Sequence, residues 1–293
     1  GLADTINRTR ENPAYLPGQT LDPSVRATAD LAELAEWECW MLVTPAQAMR
    51  SVLEAAPRSD RPLILCSKGI EERSGMLLNE VALEVSPGSP IGVLSGPSFA
   101  DEVAAGLPTA VTFASAERVF YDAFQERIAS PSFRLYHTDD VIGAEVGGAV
   151  KNVLAIACGV VDGKGLGQSA RAALIARGYA EMPRSARALG ARRETLAGLS
   201  GLGDLVLTCS STSSRNYSLG LGIGQGRSGG ALLSDRRSVA EGAFTAPVLG
   251  RPAPPNNIDM PIVDAVEGLL AGRFGVDEVL GALLARPPRP EAH

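Results

Sequence analysis

The stretch IGAEVGGAVKNVLAIACGVVD, residues 142–162, is almost wholly apolar yet carries a lysine, Lys151, near its middle. It is long enough for about five or six helical turns. Read as a helix, it places Ala144, Gly147, Gly148, Leu154, Ala155 and Cys158 around Lys151, and none of them is charged. An ammonium on a face of small apolar residues is partly desolvated, so its pKa is expected to fall and its proton to become available. A lysine that snorkels to water at the helix edge is the competing reading. The Gly147-Gly148 pair, which admits a second backbone closely, and the missing ion partner keep both readings open.

On the N-terminal side of this stretch, strand and helix patterns alternate. CWMLVTP (39–45), PLILCSKG (62–69), PIGVLSG (90–96), TAVTFAS (109–115) and FRLYHT (133–138) read as strands. Helical patterns separate them at 27–37, 46–56, 75–85, 97–106 and 117–129. Such alternation predicts a largely parallel, doubly wound α/β sheet, with ligands at the carboxyl ends of the strands. Upstream, a polar helix is expected to stop at Asn12-Pro13, followed by a loop through Pro17-Gly18. On the C-terminal side strand signals largely vanish, and helical patterns cover 143–161, 169–189, 195–209, 214–226, 262–272 and 276–285. The tail from 286 to 293 is expected to fray. The expected fold is therefore a partial Rossmann-type doubly wound sheet over residues 1–140, followed by an all-helical domain over 141–293 that carries the chemistry.

Composition narrows the function classes. A chain of 293 residues with 45% hydrophobic and 20% charged residues builds a real core. A net charge of -6 gives no electrostatic case for nucleic acid or anionic membrane, so local cations must do any anion binding. The apolar run Val153 to Val161 is too short to span a bilayer, and no membrane insertion is expected. Cys39, Cys66, Cys158 and Cys209 form no CxxC pair, which argues against zinc and a disulfide framework and for the cytoplasm. With His137 and His293 alone, a histidine-based metal site or triad is not expected.

Several short blocks carry candidate chemistry. Lys68 follows the strand PLILC, where its ammonium would face a ligand crevice and suit a phosphate or a polarised carbonyl; a solvated loop lysine is the alternative. In SGPSFA (95–100), Pro97 fits a first helical position, leaving the N–H groups of Ser98, Phe99 and Ala100 for an anion or for an ordinary helix start. In GLGDLVLT (201–208), Asp204 and Thr208 are four apart and share a helix face. A carboxylate in an apolar run needs a partner or acts as a cap, and Lys151 is the obvious candidate partner. Arg215 and Asn216, in the polar loop 210–218, either form a phosphate clamp or belong to a mobile serine-rich loop. The strings GKGLG (163–167) and GLGIGQG (220–226) follow helical patterns, not strands, and read as turns and tight helix contacts rather than nucleotide loops.

Taken together, SKGIE, SGPSFADEVAAGLPTA, GGAVKNV, GLGDLVLT, SRN and VAEG resemble the bacterial NAD(P)-dependent glycerol-3-phosphate dehydrogenase family, from about residue 12 to 260. The resemblance implies an N-terminal Rossmann domain, a helical C-terminal domain, a homodimer, and interconversion of dihydroxyacetone phosphate and sn-glycerol 3-phosphate with NAD or NADP, feeding glycerophospholipid synthesis. It implies that Lys151 is the general acid/base, that Lys68 lies beside substrate and nicotinamide, and that Asp204, supported by Thr208, holds Lys151 and a substrate hydroxyl. It further implies substrate contacts at Gly96, Ser98, Ser214, Arg215 and Asn216, and cofactor contacts at Lys68, Ala100, Arg215, Val239 and Glu241. Three departures stand out. The family's opening strand and GxGxxG loop are not in these 293 residues, so these residues by themselves are expected to bind a dinucleotide poorly or not at all. Residues 246–259 carry four prolines where the family has a helix, and are expected to be irregular. Pro183 is expected to kink its helix. The rival readings are a β-hydroxyacid dehydrogenase, which also sets a glycine-flanked Lys and Asn on an interdomain helix, and a non-catalytic remnant.

Overall fold

The computed structural model describes residues 1–234, 239–250 and 259–286. The chain opens with α1 (Leu2–Thr9), which Arg10 ends in the left-handed conformation. It continues into a small antiparallel hairpin of β1 (Glu11–Asn12) and β2 (Leu16–Thr20). The helix thus stops before Asn12-Pro13, and Pro17-Gly18 lies in a strand rather than a loop. A strand that pairs on one side only tolerates proline, whose missing N–H then costs no ladder bond.

The main sheet has five strands in the order β3 (Trp40–Leu42), β4 (Leu63–Leu65), β5 (Ile91–Ser95), β6 (Thr109–Ala114) and β7 (Phe133–Thr138). Helices α2 (Met49–Ala55), α3 (Leu78–Val85), α4 (Ala100–Ala104) and α5 (Arg118–Ile128) lie between them. Pairs β3–β4, β4–β5 and β6–β7 are parallel. β5 and β6 are antiparallel. Parallel neighbours need a full crossover helix; α4 has five residues, and β6 returns alongside β5 in the opposite sense. Successive side chains alternate across the sheet. Leu63 and Leu65 pack with Leu42, Met49, Leu53, Leu78 and Ala144 on one face, while Ile64 packs with Val111, Phe113, Phe124 and Leu135 on the other. Two covered faces explain the unbroken apolar strand LIL. The α/β class expected from the sequence is the one observed.

No strand follows Thr138 among the described residues. α6 (Val141–Gly163) begins where the Asp140 carboxylate accepts the Gly143 N–H at 2.9 Å. Then come α7 (Gln168–Ala188), α8 (Arg193–Ala197), a π-helical turn (Leu199–Gly203), α9 (Asp204–Thr208), α10 (Arg215–Gly224), α11 (Gly229–Leu233), α12 (Gly242–Leu249), α13 (Pro261–Leu270) and α14 (Val276–Leu284). α7 runs through Pro183 as one helix. α12 carries Pro247 inside a helix, so 246–249 are not irregular, while 251–258 and the tail 287–293 lie outside the described residues. Residues 143–161 of α6 are all buried. By length and composition α6 is long and apolar enough to cross a membrane, but it is wrapped by the helices that follow it. Its one buried carboxyl besides the cap, Glu145, takes the Asn79 N–H at the start of α3, and burial pushes its pKa up to about 8.

α10 crosses α6 at near-contact distance. A methyl group on Gly220 would collide with the Ile156 carbonyl oxygen. The glycine string 220–226 is therefore a helix-contact surface. Gly220→Ala is expected to destabilise the protein by about 3 kcal/mol, the upper end for overpacked sites. The check is the urea midpoint at constant slope, and an unchanged midpoint would contradict this crossing.

Candidate active site

Three elements meet at the carboxylate of Asp204: α6, the segment after β4, and α9 itself. Lys151, on the buried face of α6, donates to Asp204 Oδ1 at 2.7 Å and to Thr208 Oγ1 at 2.8 Å. Lys68, just past the end of β4, donates to Asp204 Oδ2 at 2.6 Å and to the Gly96 carbonyl at 2.9 Å. Thr208 closes the group by donating to Asp204 Oδ1 at 3.1 Å. Asp204 is 2% exposed, Lys151 7%, and the Lys68 side chain 20%, so the cluster is dry except on its Lys68 side.

The local sequence explains the convergence. Gly147 and Gly148 are the positions of α6 that the other two elements touch. A Cβ on Gly147 would lie 2.7 Å from the Ser200 carbonyl in the π-helical turn that leads into Asp204. A Cβ on Gly148 would lie 3.1 Å from Ser95 Oγ and 3.3 Å from the Lys68 stem. Gly96 holds φ +148 with its Cβ position 3.0 Å from the Val111 Cα, a conformation and a space suited to glycine. That turn aims its carbonyl at Lys68.

Electrostatics follow from the geometry. Burial, with the Lys68 charge in support, pushes the Lys151 pKa down to about 8, although the Asp204 charge and hydrogen bond pull upward. Burial works to raise the Asp204 pKa, but the two ammoniums overcome it and hold the carboxyl below its ordinary value. A lysine has three donors. Each of these two has one N–H without a partner within the described residues, which is the equipment to protonate an oxygen and to stabilise negative charge on it.

A second set of bonds runs behind the cluster. Asn152 donates to the Lys68 carbonyl at 3.0 Å and its Oδ1 accepts from Asn216 Nδ2 at 2.9 Å. Asn216 Oδ1 in turn accepts the Gly242 N–H at 2.9 Å, at the start of α12. Asn216 is therefore buried and engaged, whereas Arg215 next to it is exposed. The two do not form one clamp. Ser214 is buried and caps α10 by accepting the Tyr217 N–H. Ser98 and Ala100 are exposed, and α4 starts at Ala100, so Pro97 is not the first helical residue. Glu241 Oε1 accepts the Ala46 N–H at 2.9 Å; burial raises its pKa against that bond and the Arg215 charge. Val239 is half-buried two residues away. A cavity of about 620 Å³ lies instead at the N-terminal end of β5, lined by Pro90, Ile91, Ser115, Asp140 and Arg192, and holds none of these residues.

Family models decide what this arrangement belongs to. The model for the NAD-dependent glycerol-3-phosphate dehydrogenase N-terminus matches residues 1–120 and that for the C-terminus residues 140–281. The chain belongs to the NAD-dependent glycerol-3-phosphate dehydrogenase family. Among relatives of this family, glycerol-3-phosphate dehydrogenase (NAD(P)+) of Erythrobacter litoralis is 58% identical over 286 residues, covering 98% of this chain and 86% of the relative. The Caulobacter vibrioides protein of the same name is 53% identical over 294 residues, covering 99% and 89%. The crystal structure of glycerol-3-phosphate dehydrogenase from Coxiella burnetii superposes with a TM-score of 0.91 at 36% identity, covering 97% of this chain and 89% of that one.

Asn152 was given no role by the sequence, although it sits in the GGAVKNV block. A buried amide on an apolar helix needs partners, and that was the available signal. Gln47 sits inside an ordinary helical pattern, 46–56, that carries no signal of a role. Asp204→Asn removes the anion between the buried Lys151 ammonium and the half-buried Lys68 ammonium. It is expected to cost about 3 kcal/mol of stability and to push the Lys151 pKa lower still. Denaturant unfolding and a lysine side-chain NMR titration read the two effects.

Proposed function

We propose that this chain interconverts dihydroxyacetone phosphate and sn-glycerol 3-phosphate with NAD or NADP, and that Lys151 is its general acid and base. The observation that carries the reading is the Asp204 carboxylate shared by Lys151 and Lys68. Such a cluster suits a carbonyl that gains negative charge as it is reduced. Bound nicotinamide dinucleotide supplies or accepts the hydride.

The cofactor side fits such a group. Beside Gly69, Glu241 Oε2 and the Thr245 hydroxyl have no partner in the described residues, nor does the hydroxyl of Thr44 at the end of β3. NAD and NADP bring amide and hydroxyl groups that match such atoms. Glu241, Val239, Ala100 and Lys68 are assigned to that side. In the reduction direction Lys151 gives its proton to the ketone oxygen, while Lys68 steadies the charge growing there. In the reverse direction neutral Lys151 takes the alcohol proton. Asp204 keeps both amines in place and Thr208 fixes the Lys151 rotamer. Arg215, exposed at the N-terminus of α10, is the cation for the substrate phosphate, aided by helix N–H groups after the Ser214 cap. Asn216 holds that helix to Asn152, and Gly96 and Ser98 border the substrate.

The division into a cofactor-binding part, 1–140, and a catalytic part, 141–293, follows the same reading, with the substrate between them. So do a homodimer, a cytoplasmic location without membrane insertion, and a role in glycerophospholipid synthesis.

Lys151→Met is expected to lower ketone reduction by about 10²- to 10⁴-fold, read as loss of NADH or NADPH absorbance with dihydroxyacetone phosphate. Reduction needs the protonated amine, so the rate should fall as pH rises through the Lys151 pKa of about 8. Oxidation needs the neutral amine and should rise over the same range. Turnover untouched by the substitution removes Lys151 from the mechanism.

A further inference from the structure

Lys68 lies outside regular structure, between the end of β4 and an isolated bridge that pairs Ile70 with Leu77. Its ammonium nevertheless has to meet Asp204 and the Gly96 carbonyl at 2.6 and 2.9 Å. Something other than a strand ladder must place its backbone. Asn152 holds the Lys68 carbonyl from the α6 side. From the other side, Gln47 holds the loop with both ends of one amide. Its Nε2 donates to the Ile70 carbonyl at 2.8 Å and its Oε1 accepts the Glu72 N–H at 2.9 Å.

The segment around Gln47 is itself anchored. Arg50, one turn on, makes a two-pronged pair with buried Glu71 at 2.8 and 3.0 Å and a further bond to Glu84 at 3.1 Å. Ala46, the preceding residue, donates its N–H to Glu241 and touches the space where Gly69 would carry a Cβ, 2.8 Å away. A short turn, Ala46–Ala48, therefore links the Lys68 loop, the α2 helix and Glu241.

We propose that Gln47 is a positioning residue for the reaction, setting where the Lys68 ammonium stands against Asp204. This rests on the dehydrogenase reading above and deepens it. Gln47 touches neither reacting group; it acts by fixing the Ile70 carbonyl and the Glu72 N–H, just past Gly69 in the loop that carries Lys68. Losing the clamp lets the loop drift and the Lys68–Asp204 contact lengthen. Lys151 then loses part of the neighbouring positive charge that depresses its pKa.

The test is a double-mutant cycle on the full chain with dihydroxyacetone phosphate and NADH or NADPH. Gln47→Met keeps the side-chain length and removes both hydrogen bonds; Gln47→Ala serves as a second variant, with thermal melting to confirm that each folds. Either variant is expected to lower kcat by between about tenfold and a hundredfold, with the KM for the cofactor little changed. The alkaline limb of the reduction profile should move to higher pH. In a Lys68→Met background the same change should have little further effect, because its target is gone. Full additivity in the double variant, or an active wild type with variants of equal kcat and an unshifted profile, overturns the positioning role while leaving the dehydrogenase reading intact. A folded wild type that oxidises neither cofactor overturns that reading and this inference with it.

Discussion

One carboxylate shared by two ammoniums organises this protein. Asp204 reaches Lys151 on one oxygen and Lys68 on the other, and both bonds are shorter than 2.8 Å. A buried ion pair returns its desolvation cost only with good geometry and further hydrogen bonds. Thr208 and the Gly96 carbonyl supply those bonds. The arrangement ties the sheet's strand ends to α6 and α9, so the site lies at the junction between sheet and helices.

Backbone proximity makes this possible. Neighbouring segments come close to α6 beside Lys151 because the helix presents glycine where each arrives: Gly147 under the π-helical turn and Gly148 under Ser95 and Lys68. Side chains there would push the turn or the lysine stem away, and the ion pairs would lengthen before the fold failed. The glycine pair near the lysine is thus a statement about distance. The same logic recurs lower on α6, where α10 lies against it through Gly220. A helix buried on all sides needs small residues wherever a neighbouring backbone crosses it.

Much of this was legible in the chain. The lack of an ion partner on the Lys151 face and the four-residue spacing of Asp204 and Thr208 are local patterns, and local patterns survive folding. The strands were readable for the same reason: Leu63, Ile64 and Leu65 are apolar on both faces of a buried sheet. Other features were not readable, because they depend on partners far away in sequence. The sense of β6 is set by how little helix lies between it and β5. Asn152 and Asn216 look like ordinary amides until Lys68 and Gly242, distant in sequence, are brought to them. Arg215 and Asn216 are adjacent in sequence, yet consecutive helical residues point about 100° apart, which separates them into a solvent-facing cation and a buried tether.

The charge balance of the cluster also bears on what can occupy it. The whole chain carries -6, which disfavours a phosphorylated substrate at long range. Salt screens that repulsion beyond about 8 Å. Inside the site the count reverses: two ammoniums face one carboxylate, and Arg215 stands nearby, close enough for its charge to act on Glu241. Of these cations Lys151 is buried, where its charge is screened least. An arginine in place of Lys151 would keep that charge but hold its proton at every accessible pH. A lysine pressed down by burial and by a second cation can do both jobs. In the proposed reaction it would attract the anion while charged and give its proton to the ketone oxygen.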